Sequence, residues 1–385
     1  MTHVHNSRGP FEVESYLRKR RQLLGLSQKQ LAELTGVTRQ FICAVEAGQC
    51  SPATSLALRL AAILNCKVED LFSLKASSEF VEGELVGSVD PNVSATRAKV
   101  VRVGERVMVR PLPNSGGYAS LTQSADGLIV GRAAKGVANV RLLKDWPSVH
   151  GQVALAGCDP AISLAADYLR RSGHGSLCAT VMGSGAAIEA LNRGEVHVAG
   201  VHLVDEQSGE CNLPYLRRNL KGPNYLIITF AEWEEGLLVA AKNPRGIRSI
   251  SDLARQDVRF VNREAGSGAR HLVDRQLAAH GVLPSWVQGY DQVVSSHLEL
   301  AWTVQAGLAD VGVGVHTAAV AFGLEFIPLQ RERYDLVIPK LHYDTHAGVK
   351  ALLDIVVSGS FRAEIEALGG YDTRATGRAW DLKAA

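Results

Sequence analysis

The chain has 385 residues, 46% of them hydrophobic and 21% charged, with a net charge of +2. That composition fits a folded protein of two or three domains and excludes a disordered or collagenous one. No run approaches about 18 apolar residues and residues 1–21 contain no apolar signal stretch, so neither a membrane span nor export is expected and the cytoplasm is the expected compartment.

Residues 14–74 have helical periodicity, with apolar residues at Leu17, Leu24, Leu31, Leu34, Phe41, Ile42, Val45, Leu56, Leu60, Ile63 and Leu64. Gly25, Gly36, Gly48 and Ser51-Pro52 punctuate them, which predicts about five short helices in an all-α domain over residues 14–75. Positive charge gathers here, since residues 1–75 carry ten Lys/Arg against six Asp/Glu. Within LSQKQLAELTGVTRQFICAVEAG, Ser27 is placed to cap a helix over 28–34, Gly36 to make the turn, and Thr38 to cap the next helix, which ends at Gly48. A second helix of such a pair enters the major groove by its N-terminus, so Thr38, Arg39 and Gln40 are the expected base-proximal residues on double-stranded DNA. Gln28 and Lys29, opening the first helix, are expected to meet phosphates.

This segment, with Ser27-Gln28, Leu31-Ala32, Gly36-Val37, Ile42, Glu46 and Gly48 in register, resembles the Cro/lambda-repressor (XRE) family of helix-turn-helix domains over residues 18–72. The resemblance implies a DNA-binding transcription regulator.

Residues 76–150 change texture to β-branched clusters, AKVVRVGERVMVRPL and GLIVGRAAKGVANVRLL, broken by Pro, Gly, Asn and Ser. A small β-rich module or structured linker is expected, with no chemistry to assign. From residue 152 short apolar strands alternate with amphipathic helices, the pattern of an α/β fold with mainly parallel strands. The expected strands are QVALAG, LCATVMG, VHVAGVHL, YLIITF, GLLVAAK, RFVN, DVGVGV, EFIPL and YDLVIP, with helices over 159–171, 185–193, 267–279 and 317–322.

Glycine, serine and threonine cluster at the strand-to-helix junctions 157–159, 183–185, 266–268 and 314–317. Helix N-termini carry free amides and partial positive charge, so converging junctions point to a small anionic ligand, while each alone reads as a tight capped turn. No G-x-G-x-x-G, P-loop, G-x-S-x-G or H-E-x-x-H pattern is present, so no cofactor, metal or catalytic constellation is called for. The six cysteines form no CxxC pair and are expected as reduced thiols. His202 and His297 read either as cleft-facing or as structural.

Residues 152–377 also resemble a family: the periplasmic molybdate-binding-protein-like domain that occurs attached to helix-turn-helix regulators and to molybdopterin molybdenumtransferases. GCDPAISL, GSGAAIEALNRGEVHVAGVHLVDEQSGECNLPYLRR, NPRGIRSISDLARQDVRFVNREAGSGAR, HLELAWTVQAGLADVGVGV and ALGGYDT carry the likeness. It implies a type II periplasmic-binding-protein fold over 151–377, two α/β lobes joined by crossing strands and closing on a solute. By position, Asp159, Ser184 and His202 of the first lobe and Asn262, Arg263, Ser267, Gly268 and Arg270 of the second become the expected ligand residues. The implied effector is molybdate or tungstate, or a molybdenum-cofactor-related pterin. Asp159 sits awkwardly with a bare oxyanion unless it is paired or caps a helix. The expectation is thus a homodimeric, effector-responsive DNA-binding regulator without catalytic activity. The alternative is an enzyme or carrier of molybdenum-cofactor metabolism with an accessory DNA-binding domain.

Overall fold

The computed structural model describes residues 13–74, 80–89, 95–112, 123–131, 136–205, 207–222 and 224–382. The chain divides into two units, residues 1–79 and 80–385. The expected boundary at residues 75 and 76 lies outside the described residues.

In the first unit, helices α1 (Leu17–Leu23), α2 (Gln28–Thr35), α3 (Arg39–Glu46) and α4 (Thr54–Ile63) are followed by a 3-10 turn, Val68–Asp70. The fifth expected helix is thus a single 3-10 turn. A short antiparallel ribbon, β1 (Val13–Ser15) with β2 (Phe72–Leu74), closes the ends of the unit, a pairing too short to leave a periodic signal. Leu17, Leu31, Ile42, Val45, Leu60, Leu64 and Leu71 form its core. Ser27 Oγ accepts from the Gln30 amide while Gln30 returns a bond to the Ser27 amide, and Thr38 Oγ1 accepts from the Phe41 amide. Both caps therefore satisfy amides that a helix start leaves unpaired. Gly36, at φ +70°, supplies the left-handed turn between α2 and α3.

The second unit opens with β3 (Phe80–Leu85), β4 (Ala95–Val103), β5 (Arg106–Pro111), β6 (Gly127–Val130) and β7 (Val137–Leu142), which form a closed barrel in the order β3-β5-β4-β6-β7. Strand alternation gives β4 two apolar faces. Ala98 and Val100 fill the barrel, while Val101 and Val103 pack with Ala154, Ala156 and Ile188 of the following lobe. Gln152 Nε2 donates to the Val100 carbonyl at 2.9 Å across the same junction. Helix α5 (Trp146–His150) leads from the barrel into the α/β part.

There the elements are β8 (Val153–Gly157), α6 (Ile162–Arg171), β9 (Leu177–Val181), α7 (Ser184–Asn192), β10 (Val198–Val201), α8 (Leu213–Asn219), β11 (Tyr225–Val239), β12 (Phe260–Arg263), α9 (Gly268–Ala279), β13 (Val293–Val294), α10 (His297–Gln305), β14 (Val311–Val315), α11 (His316–Phe322) and β15 (Glu325–Pro339). Three helices, α12 (Lys340–Thr345), α13 (Ala347–Val357) and α14 (Gly359–Ala367), and two short strands, β16 (Tyr371–Asp372) and β17 (Ala379–Trp380), complete it. The sheet runs β13-β12-β14-β11-β15-β10-β8-β9, with β16 and β17 added to β11. Strands β9, β8 and β10 are parallel in the first lobe, β13, β12 and β14 in the second; β15 is antiparallel to β10 of the first set, β11 to β14 of the second, and β11 and β15 are antiparallel to each other.

These two strands correct the sequence expectation. YLIITF and GLLVAAK are one 15-residue strand, and EFIPL and YDLVIP another, each about 50 Å long and passing through both lobes. The polar stretches between the apolar runs looked like breaks, yet they pair across the ladder, Glu232 with Arg333 and Trp233 with Glu332.

Candidate functional site

On the first unit the helix-turn-helix presents Lys29, Thr38, Arg39 and Gln40 to solvent. Gln28 is half-buried, and its Nε2 donates to Glu46 at 2.9 Å. Glu46 is itself gripped by the buried Arg21 guanidinium, Nε to Oε1 at 2.5 Å and a second nitrogen to Oε2 at 3.1 Å. This arrangement fixes the start of α2 against the end of α3 and leaves the opening of α3 free to meet a duplex.

In the second unit the first lobe faces the second across β11 and β15. The Gly185 amide donates to the Gly266 carbonyl at 3.3 Å, so the N-termini of α7 and α9 meet and the lobes are closed. Gly268 lies so near His202 that a Cβ there would fall 2.3 Å from the imidazole.

The eight expected ligand residues divide by what their polar atoms do. Ser184 Oγ accepts from the His202 amide and donates to the His202 carbonyl, fixing that residue's backbone. Ser267 caps α9 by accepting from the Arg270 amide. Asn262 accepts from the Arg263 amide and donates to the Tyr290 carbonyl, and Arg270 pairs with Asp274 over the Tyr290 ring. These four side chains are engaged in shaping the lobes. Asp159 Oδ1 accepts from the Ala161 amide at 2.6 Å and from Tyr371 at 2.7 Å, so that oxygen is paired. Among the described residues its Oδ2 is buried without a hydrogen-bond partner, as is one terminal nitrogen of Arg263, whose other side-chain nitrogens bond Glu264 and Ser295.

Around Asp159, His202 and Arg263 the tertiary structure assembles residues that sequence reasoning missed or left undecided: Cys158, Trp233, Glu235, His297, Glu332 and Tyr371. His202 lies 3.2 Å by its Nε2 from Cys158 Sγ and 2.7 Å by its Nδ1 from Glu332. Both carboxylate oxygens of Glu235, both nitrogens of His297 and the Trp233 indole nitrogen are buried without a hydrogen-bond partner among the described residues. Buried polar atoms in folded proteins are nearly always bonded, so this concentration singles out the cluster as the candidate site. The available signal was Glu235 and Glu332 in the polar stretches between the apolar runs of β11 and β15, and His297 just after a serine cap.

The electrostatics follow from burial. Removal from water pushes Asp159 up to about 7, against the opposing bonds from Tyr371 and Ala161. Burial, with Glu332 beside it, likewise raises Glu235. Burial alone would depress His202, but Cys158, Glu235 and Glu332 together hold it well above the usual imidazole value. His297 is held well below that value by burial, then by the charges of Arg263 and His202. At the mouth of this cluster a cavity of about 280 Å³ between the lobes is lined by Asn212, Tyr215, Arg218, Gly268, His271 and Glu332, among others. Glu332 belongs to both the cluster and the cavity lining.

Two families match the chain: "Helix-turn-helix" over residues 17–71 and "PBP superfamily domain" over residues 166–357. YvgK, an uncharacterized protein of Bacillus subtilis, is 34% identical over 60% of this chain and 74% of its own length. An uncharacterized HTH-type transcriptional regulator of Methanothermobacter thermautotrophicus is 46% identical over 16% of this chain and 91% of its length. Among solved structures, an ABC-type phosphate transport receptor from Vibrio cholerae overlays with a TM-score of 0.39 at 16% identity, covering 57% of this chain and 98% of that one. That last likeness is too loose to bear on the ligand. No helix among the described residues is long and apolar enough to cross a membrane.

Proposed function

Because this chain belongs to the family of YvgK and carries an XRE-type helix-turn-helix together with a PBP superfamily domain, we propose that it is a transcription regulator in which a small effector closes the interlobe cleft and changes operator affinity. The observation that carries this reading is the set of unpartnered buried polar atoms of Asp159, Glu235, Arg263 and His297 lying between two lobes that meet across them. An effector that satisfies those atoms binds the closed form better than the open one, and that difference is what shifts the population.

Arg39 and Gln40, with Thr38, read base edges on the operator, and Lys29 meets phosphate. Gln28, held by Glu46, contributes through the position of α2 and its remaining polar capacity. The functional form is a homodimer on a two-fold operator, since one small helix-turn-helix gives limited specificity. Two effector classes are in view, molybdate or tungstate and a molybdenum-cofactor-related pterin. The site favours the pterin, because Asp159, Glu235 and Glu332 are acceptors that ring N–H groups satisfy and that a bare oxyanion does not.

The test is a thermal-shift screen of the full chain with molybdate, tungstate, sulfate, phosphate and pterins, followed by gel-shift titration of the operator with and without each stabilising compound. The reading expects one class to raise the melting temperature and to change operator affinity. Stabilisation with unaltered DNA affinity would make the protein a carrier, and turnover of a pterin would make it an enzyme.

A further inference from the structure

From the buried cluster itself we infer that the floor of the interlobe cleft is a binding site for a divalent d-block cation of the zinc type, held by Cys158, His202 and His297. The inference rests on the reading of the cleft as the binding site and adds a ligand to it. The three donor atoms, one sulfur and two imidazole nitrogens, lie within 4.8 Å of one another, and all three side chains are buried. A tetrahedral zinc with bonds of about 2.3 Å to sulfur and 2.0–2.1 Å to nitrogen sets such donors about 3.5 Å apart. The Cys158 Sγ to His202 Nε2 separation of 3.2 Å is close to that. Thiolate with imidazole is the donor set that selects zinc, cobalt or copper over magnesium or calcium.

Three independent features support a cation over a plain thiol–imidazole contact. His297 is wholly buried with neither ring nitrogen hydrogen-bonded among the described residues, which a contact between Cys158 and His202 alone leaves unexplained. His202 offers Nε2 to the sulfur while its Nδ1 faces Glu332 at 2.7 Å, the outer carboxylate arrangement that orients a metal-binding imidazole. Glu235 lies 3.7 Å from His202 and 3.8 Å from His297, so its unbonded carboxylate sits beside both rings. Binding would displace the thiol proton and leave one coordination position for water or an effector atom.

The donors also come from both lobes. Cys158 and His202 follow β8 and β10 of the first, whereas His297 opens α10 of the second. A cation coordinated by all three exists only in the closed form, so it acts as a latch.

The experiment titrates cobalt(II) into the reduced, full-length protein and follows the near-ultraviolet sulfur-to-cobalt charge-transfer absorption, with bound metal counted by native mass spectrometry. One cobalt per chain, a charge-transfer band displaced by zinc, and loss of the band in both Cys158→Ser and His297→Ala are expected. Cys211→Ser should keep the band. Glu332→Gln, which touches only the outer contact, should weaken affinity roughly 10–100-fold without removing the band. Circular dichroism of each variant separates loss of the site from loss of the fold, and the wild-type band needs no variant. Absence of the band in the wild type, or its survival in Cys158→Ser, overturns the inference. Gel shifts separate the two claims: cobalt bound with unchanged operator affinity and no responsive effector sinks the regulatory reading and leaves the site, whereas an effector response without any cobalt band does the reverse.

Discussion

At the scale of single residues, buried charge decides most. Arg21 is 7% exposed and its guanidinium is matched by Glu46 in a two-point contact. Removing one partner of such a pair strands the other, so Glu46→Ala should destabilise the helix-turn-helix by about 3 kcal/mol, read as an earlier first transition in urea unfolding of the full chain. An unchanged transition would mean that water replaces the carboxylate. Arg39→Ala removes no internal contact and should leave stability alone while costing roughly 1–3 kcal/mol of operator binding, with relaxed preference at one base position in a gel-shift series. Acid sensitivity belongs to a different group. His197 accepts from the Ala154 amide, packs on His342 and His346, and is pushed down to about 3 by burial and by those two neighbours. Its folded pKa lies below the unfolded value of about 6.5, so the unfolded chain takes up the proton first and stability falls as pH drops from about 6.5 towards 3. Between pH 7.5 and 5 this residue should account for a loss of roughly 1–2 kcal/mol. Denaturant melts at the two pH values, compared with those of His197→Gln, would show a smaller drop for the variant.

Elements matter here through where they end. Helices α7 and α9 start opposite each other, and their glycines let two backbones approach across the cleft. A methyl group at Gly268 meets the His202 carbonyl at 2.4 Å as well as its ring, and backbone cannot yield as a side chain can. The clash exists only with the lobes closed, so Gly268→Ala should leave the open protein stable and weaken closure by about 1–3 kcal/mol, roughly 5- to 150-fold in effector affinity. Small-angle scattering with the effector present would show a larger radius than wild type; equal compaction would mean that α9 shifts to absorb the methyl group. Strands β11 and β15 are the other decisive elements. They carry Glu235 and Glu332 to the middle of the cleft, and Asp335, bonded by Arg333, Asn212 and Thr229, anchors their crossing.

For the whole molecule, effector closure in the second unit is useful only if it alters how two helix-turn-helix domains meet the operator. Sedimentation of the full chain with operator DNA should therefore give two chains per duplex, and an effector should change the affinity rather than that ratio. One chain per duplex, with a footprint of a single half-site, would remove the dimer from the proposal. What the sequence determined by itself is local: the caps at Ser27 and Thr38, the turn at Gly36, the α/β alternation and the glycine-rich junctions, all of which depend on neighbours within a few residues and so leave a mark in the order of the chain. Asp159, at such a junction, and His202, at the end of an apolar strand, were legible as candidates, whereas Arg263 became one only through the family resemblance. The tertiary structure alone decided that four apolar runs are two continuous strands, that the β-rich segment closes into a barrel, and that Cys158, Glu235, His297 and Glu332 share one buried space. Those groups are up to 174 residues apart in the chain. Sequence spacing carries no record of contacts made through a sheet whose strands come from two lobes, and a buried carboxylate reads as a break in an apolar strand until the groups across the cleft are in place.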